Sequence, residues 1–526
     1  MSTPPDANGA FVFGLDGAPW DLLEKWAESG ELPNFNTIID EGVSGPLEST
    51  VPPTTPVAWP SIASGVTAGK HGIYSFRRLT SDYRYEINTS AAIRQPLLWD
   101  ICSPSVVGNV PMTYPPKEID GEMVTGMMTP SLEGAFTHPP ELADKIRSRI
   151  PEYEVGLSWS SYQGKEEQFI DDLHELLENR YQLMKLLFEN DEWELFFFVY
   201  TSPDRLQHLI WEEDVLLDYY KRIDDILGEV LEYVQDRGAH LYVVSDHGFG
   251  PVSENVHVNT ILENEGFLDV GGNKSRSTLS RAGITKNRVL GLLESVNAKE
   301  AALSYVPDAV IRDIATRVPG EHGLFDVDIS STEAMAHEYG LIYINDDERF
   351  DEGVVPADNR QAVKDDILAA LDSDEGAEPY RSLLSAHDGT ELFPTDADAP
   401  DLVVVVKDGY EISTAIAPEV LTPLPEKGAT HRKQGIFFAW GEDIRHESVD
   451  TGFSVYDVAP TLLHGLGKPV PENVDGQVRK QIFEEGSEPY GSAVETTSYT
   501  SESRSGGRDE DFEDVESRLR GLGYID

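Results

Sequence analysis

Six residues that can bind a metal ion lie in turns or just beyond apolar segments of this sequence. They are Asp16, Asp204, His208, Asp246, His247 and His431. Asp204 and His208 are four positions apart, so one helical turn would place both on the same face. Mixed carboxylate and imidazole ligands suit Zn²⁺, Mn²⁺ or Fe better than Ca²⁺ or Mg²⁺ alone. Because six side chains exceed what one metal takes from a protein, the set predicts two metal ions.

Each of these residues also has an ordinary structural explanation. An aspartate in a turn usually accepts backbone hydrogen bonds, and a histidine in a loop is usually a polar surface residue. In this chain, however, three aspartates each follow an apolar segment, and two of them have a histidine nearby. That joint pattern favours a shared metal centre over three unrelated turns.

Two threonines precede a predicted helix in the segment "PPTTPVAWPSIASGVTAGKHGIYSF". We predict Thr55 at the N-cap and Pro56 at the first helical position, where the missing N–H of proline is no loss. A helix N-terminus favours phosphate oxygens, and a metal-bound hydroxyl loses its proton readily, as metal-bound water does. Thr55 is therefore a candidate nucleophile, with a plain N-cap as the alternative. Pro60 should break or bend the helix.

The acidic residues follow segments that are typical of buried strands. These segments are Ala10 to Leu15, the run ending at Tyr200, and residues 240–244. Short apolar runs that alternate with helical patterns indicate a parallel sheet covered on both faces. In such sheets, ligands bind beyond the carboxyl ends of the strands. The sequence thus predicts an α/β fold, with a mostly parallel sheet sandwiched by helices.

The rest of the chain divides by composition. Strand patterns return in "GLIYIND", "DLVVVVKDGY" and "GIFFAWG", and "VESRLRGLGYID" predicts a short helix that docks through Leu519, Leu522 and Tyr524. The predicted units are a first part of the catalytic core (1–270), a helical cap insertion (271–335), a second part of the core (336–483), and a polar linker with the docking helix (484–526).

The charge balance excludes some partners and predicts a setting. The 526 residues include 94 acidic and 41 basic ones, a net charge of -53, which repels nucleic acid and anionic membranes. The acidic residues are spread along the chain rather than gathered in a block, which favours adaptation to a high-salt cytoplasm over an acidic partner-binding surface. We find no signal peptide and no membrane span, and expect a cytoplasmic protein. The sequence leaves the oligomeric state open.

Ordered motifs in the chain resemble the alkaline phosphatase superfamily, and within it the type I phosphodiesterase/nucleotide pyrophosphatase family. The resemblance covers most of residues 10–270 and 335–480. Besides the threonine segment, the motifs are "FGLDGAPWDLL", "VPMTYPP", "VTGMMTPS", "TSPDRLQHLIW", "VVSDHGFGP", "THRKQGIFFAWG" and "YDVAPTLLHGLGKPVPENVDGQV". It implies an alkaline-phosphatase-like fold. It also implies a dimetal hydrolase that cleaves phosphodiester or pyrophosphate bonds of a small phosphorylated substrate through a phospho-threonine intermediate.

The resemblance also implies roles for individual residues. One metal site would comprise Asp16, Thr55, Asp246 and His247, and the other Asp204, His208 and His431. Zn²⁺ is the expected metal and Mn²⁺ the alternative. Thr55 matches the family nucleophile because its ten-residue separation from Gly65 matches the family spacing, whereas Thr54 is out of register by one.

One position departs from the family pattern. Nucleotide pyrophosphatases carry an asparagine, which holds a phosphoryl oxygen, five residues after the histidine of "HG"; here that position is Phe76. The oxygen would then be held by a backbone N–H, or by Arg77 or Arg78. We include Phe76, Arg77 and Arg78 as candidate substrate-binding residues, and expect Trp59, Tyr74 and Phe76 to line the space for a second organic group.

Other members of the superfamily supply the alternatives. If Arg77 or Arg78 points into the pocket, the enzyme would be a phosphomonoesterase. A phosphomutase would use serine as its nucleophile, and a non-catalytic metal-binding module on the same fold would have lost ligands. Sulfatases need Cys or Ser in C/S-x-P-x-R, but "CSPSV" ends in Val106. We therefore interpret Cys102 as a buried structural residue.

Overall fold

The computed structural model describes residues 9–157, 162, 164–270, 327–372, 379–394, 396–424, 428–446, 452–500, 515–516 and 518–520. Residues 271–326 of the predicted cap insertion lie outside the described residues, as do Leu522 and Tyr524 of the predicted docking helix. Leu519 of that helix is described, and it is buried as predicted.

The strands of the described residues are β1 (Ala10–Leu15), β2 (Val43–Glu48), β3 (Arg77–Leu79), β4 (Tyr85–Ile87), β5 (Ser105–Gly108), β6 (Gly121–Val124), β7 (Thr137–His138), β8 (Leu195–Tyr200), β9 (His240–Val244), β10 (Gly248–Pro251), β11 (Glu254–His257), β12 (Ala334–His337), β13 (Leu341–Ile344), β14 (Leu384–Asp388), β15 (Leu402–Val406), β16 (Tyr410–Ser413), β17 (Leu421–Pro423), β18 (Ala429–Arg432), β19 (Gln434–Trp440), β20 (Phe453–Ser454), β21 (Val470–Pro471) and β22 (Thr496–Thr497).

The α-helices of the same residues are α1 (Trp20–Glu28), α2 (Pro33–Glu41), α3 (Thr55–Ser64), α4 (Ala68–His71), α5 (Leu98–Ile101), α6 (Glu141–Arg149), α7 (Glu166–Leu187), α8 (Ser202–Leu209), α9 (Glu213–Arg237), α10 (Val258–Glu265), α11 (Arg360–Asp372), α12 (Gly389–Leu392), α13 (Val458–Gly465) and α14 (Glu488–Gly491).

The large sheet has the described order β20-β2-β19-β9-β1-β8-β5-β6-β7. Strands β9, β1, β8, β5 and β6 are parallel to their neighbours in that run, whereas β19 is antiparallel to both β2 and β9. The predicted α/β fold with a mostly parallel sheet is therefore confirmed.

Strand β1 shows why the sheet is central. All six of its residues are buried, and alternate side chains pack on opposite faces, as a pleated strand requires. Phe11 and Phe13 join the apolar core on one face, which also contains residues of α2, α7 and α9. Val12 joins the core on the other face, with residues of α3 and α13. A strand covered on both faces needs apolar residues throughout.

A second lobe lies within the later part of the chain. Its sheet has the order β12-β13-β15-β14, with antiparallel neighbours, and it shares an apolar core of its own with α10 and α11. Two of the late strand patterns, "GLIYIND" and "DLVVVVKDGY", form β13 and β15 of this lobe. The third, "GIFFAWG", forms β19 of the large sheet. Residues 336–483 thus contribute to both sheets.

Helix α3 differs from the prediction in two respects. Its N-cap is Thr54, with extended dihedral angles, so Thr55 is the first helical residue and Pro56 the second. The missing N–H of Pro56 is no loss at the second helical position either, because the first helical N–H groups have no intrahelical acceptor. Pro60 does not end the helix, which continues to Ser64. Every residue of α3 is buried, and we infer that this packing outweighs the lost hydrogen bond.

Candidate active site

Three aspartates converge at one edge of the large sheet. Asp16 follows β1, Asp246 follows β9, and Asp204 lies in the first turn of α8, which comes after β8. Strand β1 is hydrogen-bonded to both β8 and β9 in parallel, so the carboxyl ends of the strands bring the three carboxylates together. All three are completely buried.

Asp204, His208 and His431 form one cluster of potential ligands. Helix α8 places His208 Nε2 3.5 Å from Asp204 Oδ1, as the spacing predicted. His431 comes from β18, and its Nε2 atom lies 3.3 Å from the same oxygen and 3.1 Å from His208 Nε2.

Asp16, Asp246 and His247 form a second cluster beside the first. His247 Nε2 lies 3.2 Å from Asp246 Oδ2 and 3.6 Å from Asp16 Oδ1. The clusters adjoin, because His247 Nε2 is also 4.0 Å from Asp204 Oδ1. The division into two groups matches the one that the family resemblance implies.

The three imidazoles share one orientation. Nδ1 of His247 lies 3.0 Å from the Gly248 carbonyl oxygen, and Nδ1 of His431 lies 3.1 Å from that of Pro53. His208 has a backbone hydrogen bond with Ala429. When Nδ1–H donates to a carbonyl, Nε2 keeps its lone pair. We infer that all three lone pairs face the carboxylates, which is the arrangement of neutral histidine ligands.

Burial and neighbouring charges shift the pKa values of the carboxylates and imidazoles in the site. Burial raises the pKa of Asp16 and of Asp246 well above the usual value, and neighbouring carboxylates add to the effect. Burial also lowers the pKa of His431 to about 3 and that of His208 to about 4. For Asp204, burial opposes ionisation, but His208, His431 and Arg205 outweigh it and lower the pKa.

This electrostatic situation fits bound divalent cations. Asp246 Oδ2 is buried and accepts no hydrogen bond in the described part of the chain, although buried carboxylate oxygens normally do. In each of the two clusters, the carboxylate and imidazole ligand atoms lie within 4.8 Å of one another. Such atoms are the donors found in Zn²⁺ or Mn²⁺ sites. Cations would neutralise the carboxylates and occupy the Nε2 lone pairs.

Thr55 lies directly against the second cluster. Its Oγ1 atom is 3.3 Å from Asp16 Oδ1 and 3.3 Å from His247 Nε2. The Oγ1 atom of Thr54, in contrast, is buried without a hydrogen-bond partner among the described residues. The two threonines thus differ in the contacts of their hydroxyls, and only that of Thr55 reaches the second cluster. Trp59, one turn along α3, donates from Nε1 to Asp16 Oδ2 at 3.2 Å, a contact that the sequence did not reveal.

The loop after β1 is held by the loop after β9. Gly17 N–H donates to Asp246 Oδ1 at 3.1 Å, and Ala18 N–H donates to Ser245 Oγ at 2.9 Å. Gly17 has φ 72°, a left-handed conformation that glycine adopts without strain. The "DG" pair therefore fixes Asp16 beside Asp246.

Lys70 and His71, at the far end of the threonine segment, have structural roles. His71 accepts from Ile73 N–H at Nδ1 (3.1 Å), which leaves Nε2–H to donate to Ser61 Oγ at 3.0 Å. Lys70 Nζ donates to the Asn473 carbonyl oxygen at 2.7 Å and to Asp475. These contacts anchor α3 and α4, and thereby the start of α3 at Thr55.

A cavity of about 1160 Å³ opens at the cluster of Asp204, His208 and His431, with residues of the second lobe on its other side. On the catalytic side it is lined by Thr54, His208 and His431. Across from them the lining includes Arg77, Tyr83, Tyr85, Glu338, Tyr339 and Tyr410. The volume exceeds that of most small-molecule pockets, so the cavity has room for a ligand with two bulky groups.

The candidate substrate-binding residues are placed unequally. Arg77 lines the cavity, but its guanidinium pairs with Glu338. Arg78 pairs with Glu86 at the surface, and neither it nor Phe76 is among the residues that line the cavity. Phe76 is fully buried in the apolar core, so the described structure gives it no surface for a substrate.

The prediction that Trp59 and Tyr74 line the space for a second organic group is also wrong. Trp59 is fully buried, and Tyr74 donates its hydroxyl to Asp396 at 3.0 Å, outside the lining of the cavity. The cavity aromatics come instead from the β3–β4 hairpin and the second lobe. Cys102 is buried, as expected, and burial raises the pKa of its thiol to about 12.

Comparisons with known proteins agree with these observations. A family model described as type I phosphodiesterase / nucleotide pyrophosphatase matches residues 10–436. Among solved structures, an inactive variant of murine ectonucleotide pyrophosphatase/phosphodiesterase 5 in complex with AMP is similar, with a TM-score of 0.50 and 14% identity over 91% of this chain and 100% of that one. The human protein of the same name has a TM-score of 0.50 and 13% identity over 90% of this chain and all of its own. A search of curated protein sequences found no significant match.

Proposed function

The chain belongs to the type I phosphodiesterase/nucleotide pyrophosphatase family, and we propose that it hydrolyses phosphodiester or pyrophosphate bonds through a phospho-threonine intermediate. The observation that carries this proposal is the position of Thr55 Oγ1, 3.3 Å from atoms of the Asp16, Asp246 and His247 cluster and at the first position of α3. A nucleophile would have to lie beside the metal ligands, and the buried Thr55 hydroxyl does.

Each cluster would hold one divalent cation, Zn²⁺ or alternatively Mn²⁺. Asp16, Asp246 and His247, with Thr55, would form one site, and Asp204, His208 and His431 the other. When bound, the cations supply positive charge for the phosphoryl oxygens and promote ionisation of the nucleophile and of water. The backbone carbonyls behind the imidazoles keep each Nε2 directed into its site.

Thr55 would attack phosphorus in line with the departing oxygen. A bond forms between Thr55 Oγ1 and phosphorus while the bond to the leaving group breaks; water then hydrolyses the phospho-threonine. The position of Thr55 at the N-terminus of α3 supports this role, because the N–H groups and the dipole of a helix N-terminus favour phosphate oxygens. Trp59 would orient Asp16 through its hydrogen bond.

Two observations support diesters or pyrophosphates over monoesters. A monoester dianion concentrates charge on its non-bridging oxygens, so an enzyme specialised for it gains from an additional cationic side chain. Arg77 and Arg78, which follow the threonine segment, are each paired with a carboxylate, Glu338 and Glu86, and Arg205 is paired with Asp204 itself. The cavity of about 1160 Å³ also accommodates a second organic group.

The other superfamily activities are less well supported. A phosphomutase is disfavoured because Thr55, and not a serine, occupies the nucleophile position. A non-catalytic module is disfavoured because both clusters keep all of their expected carboxylate and imidazole side chains. A small phosphorylated molecule remains the proposed substrate. The strongly acidic composition supports our proposal of a cytoplasmic protein adapted to high salt. Among the described residues no helix is long and apolar enough to cross a membrane.

A comparison of two chromogenic substrates tests the proposal. With Zn²⁺ or Mn²⁺ added, we expect a higher kcat/KM for bis-p-nitrophenyl phosphate than for p-nitrophenyl phosphate. A tenfold preference for the monoester, about 1.4 kcal/mol of transition-state stabilisation, would contradict the diesterase assignment and favour a phosphomonoesterase.

A further inference from the structure

Tyr339 has an unusual backbone conformation at the edge of the catalytic cavity. It lies between β12 and β13 with φ 59° and ψ 22°, the left-handed region that non-glycine residues other than asparagine and aspartate seldom adopt. Such strain persists where the surrounding structure enforces it, and it is concentrated at functional sites. Tyr339 also lines the cavity that His208 and His431 line.

The residues on either side of Tyr339 hold it in this conformation. The Glu338 carboxylate accepts hydrogen bonds from Arg77 Nε at 2.6 Å and from the Ser75 hydroxyl. Gly340 has φ 78°, and a Cβ atom there would lie 2.4 Å from the Val404 carbonyl oxygen of β15. With both neighbours fixed, the position of the Tyr339 side chain is determined by the second lobe.

The Tyr339 phenol is a neutral donor near the candidate metal ligands. It is within electrostatic range of Asp204 and Arg205. Burial, followed by the Glu338 charge, raises the pKa of the phenol far above its usual value, so the hydroxyl keeps its hydrogen. In the described part of the chain this hydroxyl has no hydrogen-bond partner, whereas the neighbouring Tyr83 and Tyr85 hydroxyls bond to Asn345 and His337.

The three residues that the sequence suggested for substrate binding do not present an unengaged donor to the cavity. Phe76 has no polar group in its side chain, and its ring is buried in the core. Arg77 and Arg78 are paired with Glu338 and Glu86. A neutral hydroxyl also suits a diester, whose phosphoryl group carries a single negative charge and gains less from a further cation.

We propose that Tyr339 donates a hydrogen bond to a non-bridging oxygen of the substrate phosphoryl group, so that the second lobe contributes a donor to the site. This inference rests on the proposed function. It makes Tyr339 a substrate-binding residue whose contribution increases as charge develops on that oxygen.

The test compares Tyr339→Phe with Tyr343→Phe in the full chain loaded with Zn²⁺. Tyr343 lies in β13 of the same lobe but does not line the cavity, so its variant is a matched loss of one hydroxyl. With bis-p-nitrophenyl phosphate we expect Tyr339→Phe to lose about 100-fold in kcat/KM, as for removal of one oxyanion donor. Metal content and Tm should be unchanged, and Tyr343→Phe should stay within about twofold of the wild type.

Phosphorothioate diesters distinguish a direct contact from a structural role. Tyr339→Phe should change the ratio of rates for the Rp and Sp diastereomers, because only one of them keeps oxygen at the contacted position. A Tyr339→Phe variant within about threefold of an active wild type, with the same Rp/Sp ratio, would overturn the inference alone. Failure of the wild type to cleave any diester with Zn²⁺ or Mn²⁺ would instead overturn the proposed function, and the inference with it.

Discussion

At the residue scale, the proposed mechanism depends on which of two adjacent threonines faces the carboxylates. Thr55 Oγ1 lies 3.3 Å from Asp16 Oδ1 and from His247 Nε2, whereas Thr54 Oγ1 has no hydrogen-bond partner in the described chain. The two residues are chemically identical, so their substitutions form a closely matched pair.

Thr55→Ala should therefore abolish turnover. We expect a loss of at least about 1,000-fold in kcat, because removal of a nucleophile removes the covalent route. Thr54→Ala should remain within about tenfold of the wild type, since Thr54 is the N-cap of α3 but makes no side-chain capping bond. Steady-state kinetics on a diester, with metal content and Tm measured in parallel, check both. An active Thr55→Ala beside an inactive Thr54→Ala would show that the assigned register is wrong.

Some residues of the site could be predicted from the sequence, and others could not. Asp16, Asp204 and Asp246 could be, because each follows an apolar strand pattern and parallel strands end at one edge. Phe76 was misplaced, because sequence distance from His71 does not reveal that its ring turns into the core. Tyr339, the further substrate contact that we propose, could not be predicted from the sequence. Its only local signal is the following Gly340, which suggests a turn but gives no indication of the cavity.

At the scale of elements, the second lobe reaches the site through the turn between β12 and β13. That turn packs against β15, where a Cβ atom at Gly340 would approach the Val404 carbonyl oxygen to 2.4 Å. The tight fit and the positive φ both require glycine at this position.

Gly340→Ala should destabilise the protein by about 2–4 kcal/mol, since it combines strain at positive φ with overpacking against backbone. Gly409→Ala is the control. Gly409 also has a positive φ, 96°, but nothing lies within 4 Å of the position of its Cβ atom, so only the conformational cost of a positive φ, about 1–2 kcal/mol, applies. Urea unfolding of both variants measures the difference. Equal stabilities would show that the turn is not held tightly against β15.

The sequence predicted elements better than their assembly. The strand patterns at Ala10–Leu15, Leu195–Tyr200 and His240–Val244 were clear, because continuous apolar runs are typical of doubly covered parallel strands. The patterns that became β13 and β15 looked the same. Nothing in their local composition distinguishes a strand of the large sheet from one of a second sheet, because that depends on distant partners.

At the scale of the whole molecule, the main feature is the large negative net charge. The net charge of -53 over 526 residues implies repulsion between acidic side chains across the surface, and such self-repulsion destabilises a compact state. Salt shortens the Debye length from about 10 Å at 0.1 M to about 3 Å at 1 M. Ion pairs are weakened too, but acidic groups outnumber basic ones 94 to 41.

We therefore expect Tm and activity to rise as KCl increases from about 0.1 M into the molar range. Thermal melts and diester assays across a KCl series, at fixed metal concentration, measure both. A matched series in sucrose controls for general solute effects, because sucrose does not screen charge. A Tm that is flat or falls with KCl would contradict adaptation to high salt.

The most direct test of the proposed two-metal mechanism is the amount of metal in the fully active protein. Elemental analysis should find two equivalents of Zn²⁺ or Mn²⁺ per wild-type chain, and about one in Asp246→Ala and in His431→Ala, which remove ligands from different clusters. Asp204→Ala should weaken the same equivalent as His431→Ala, because both residues belong to one cluster. A wild-type protein with full diesterase activity and a single equivalent of metal would contradict the mechanism.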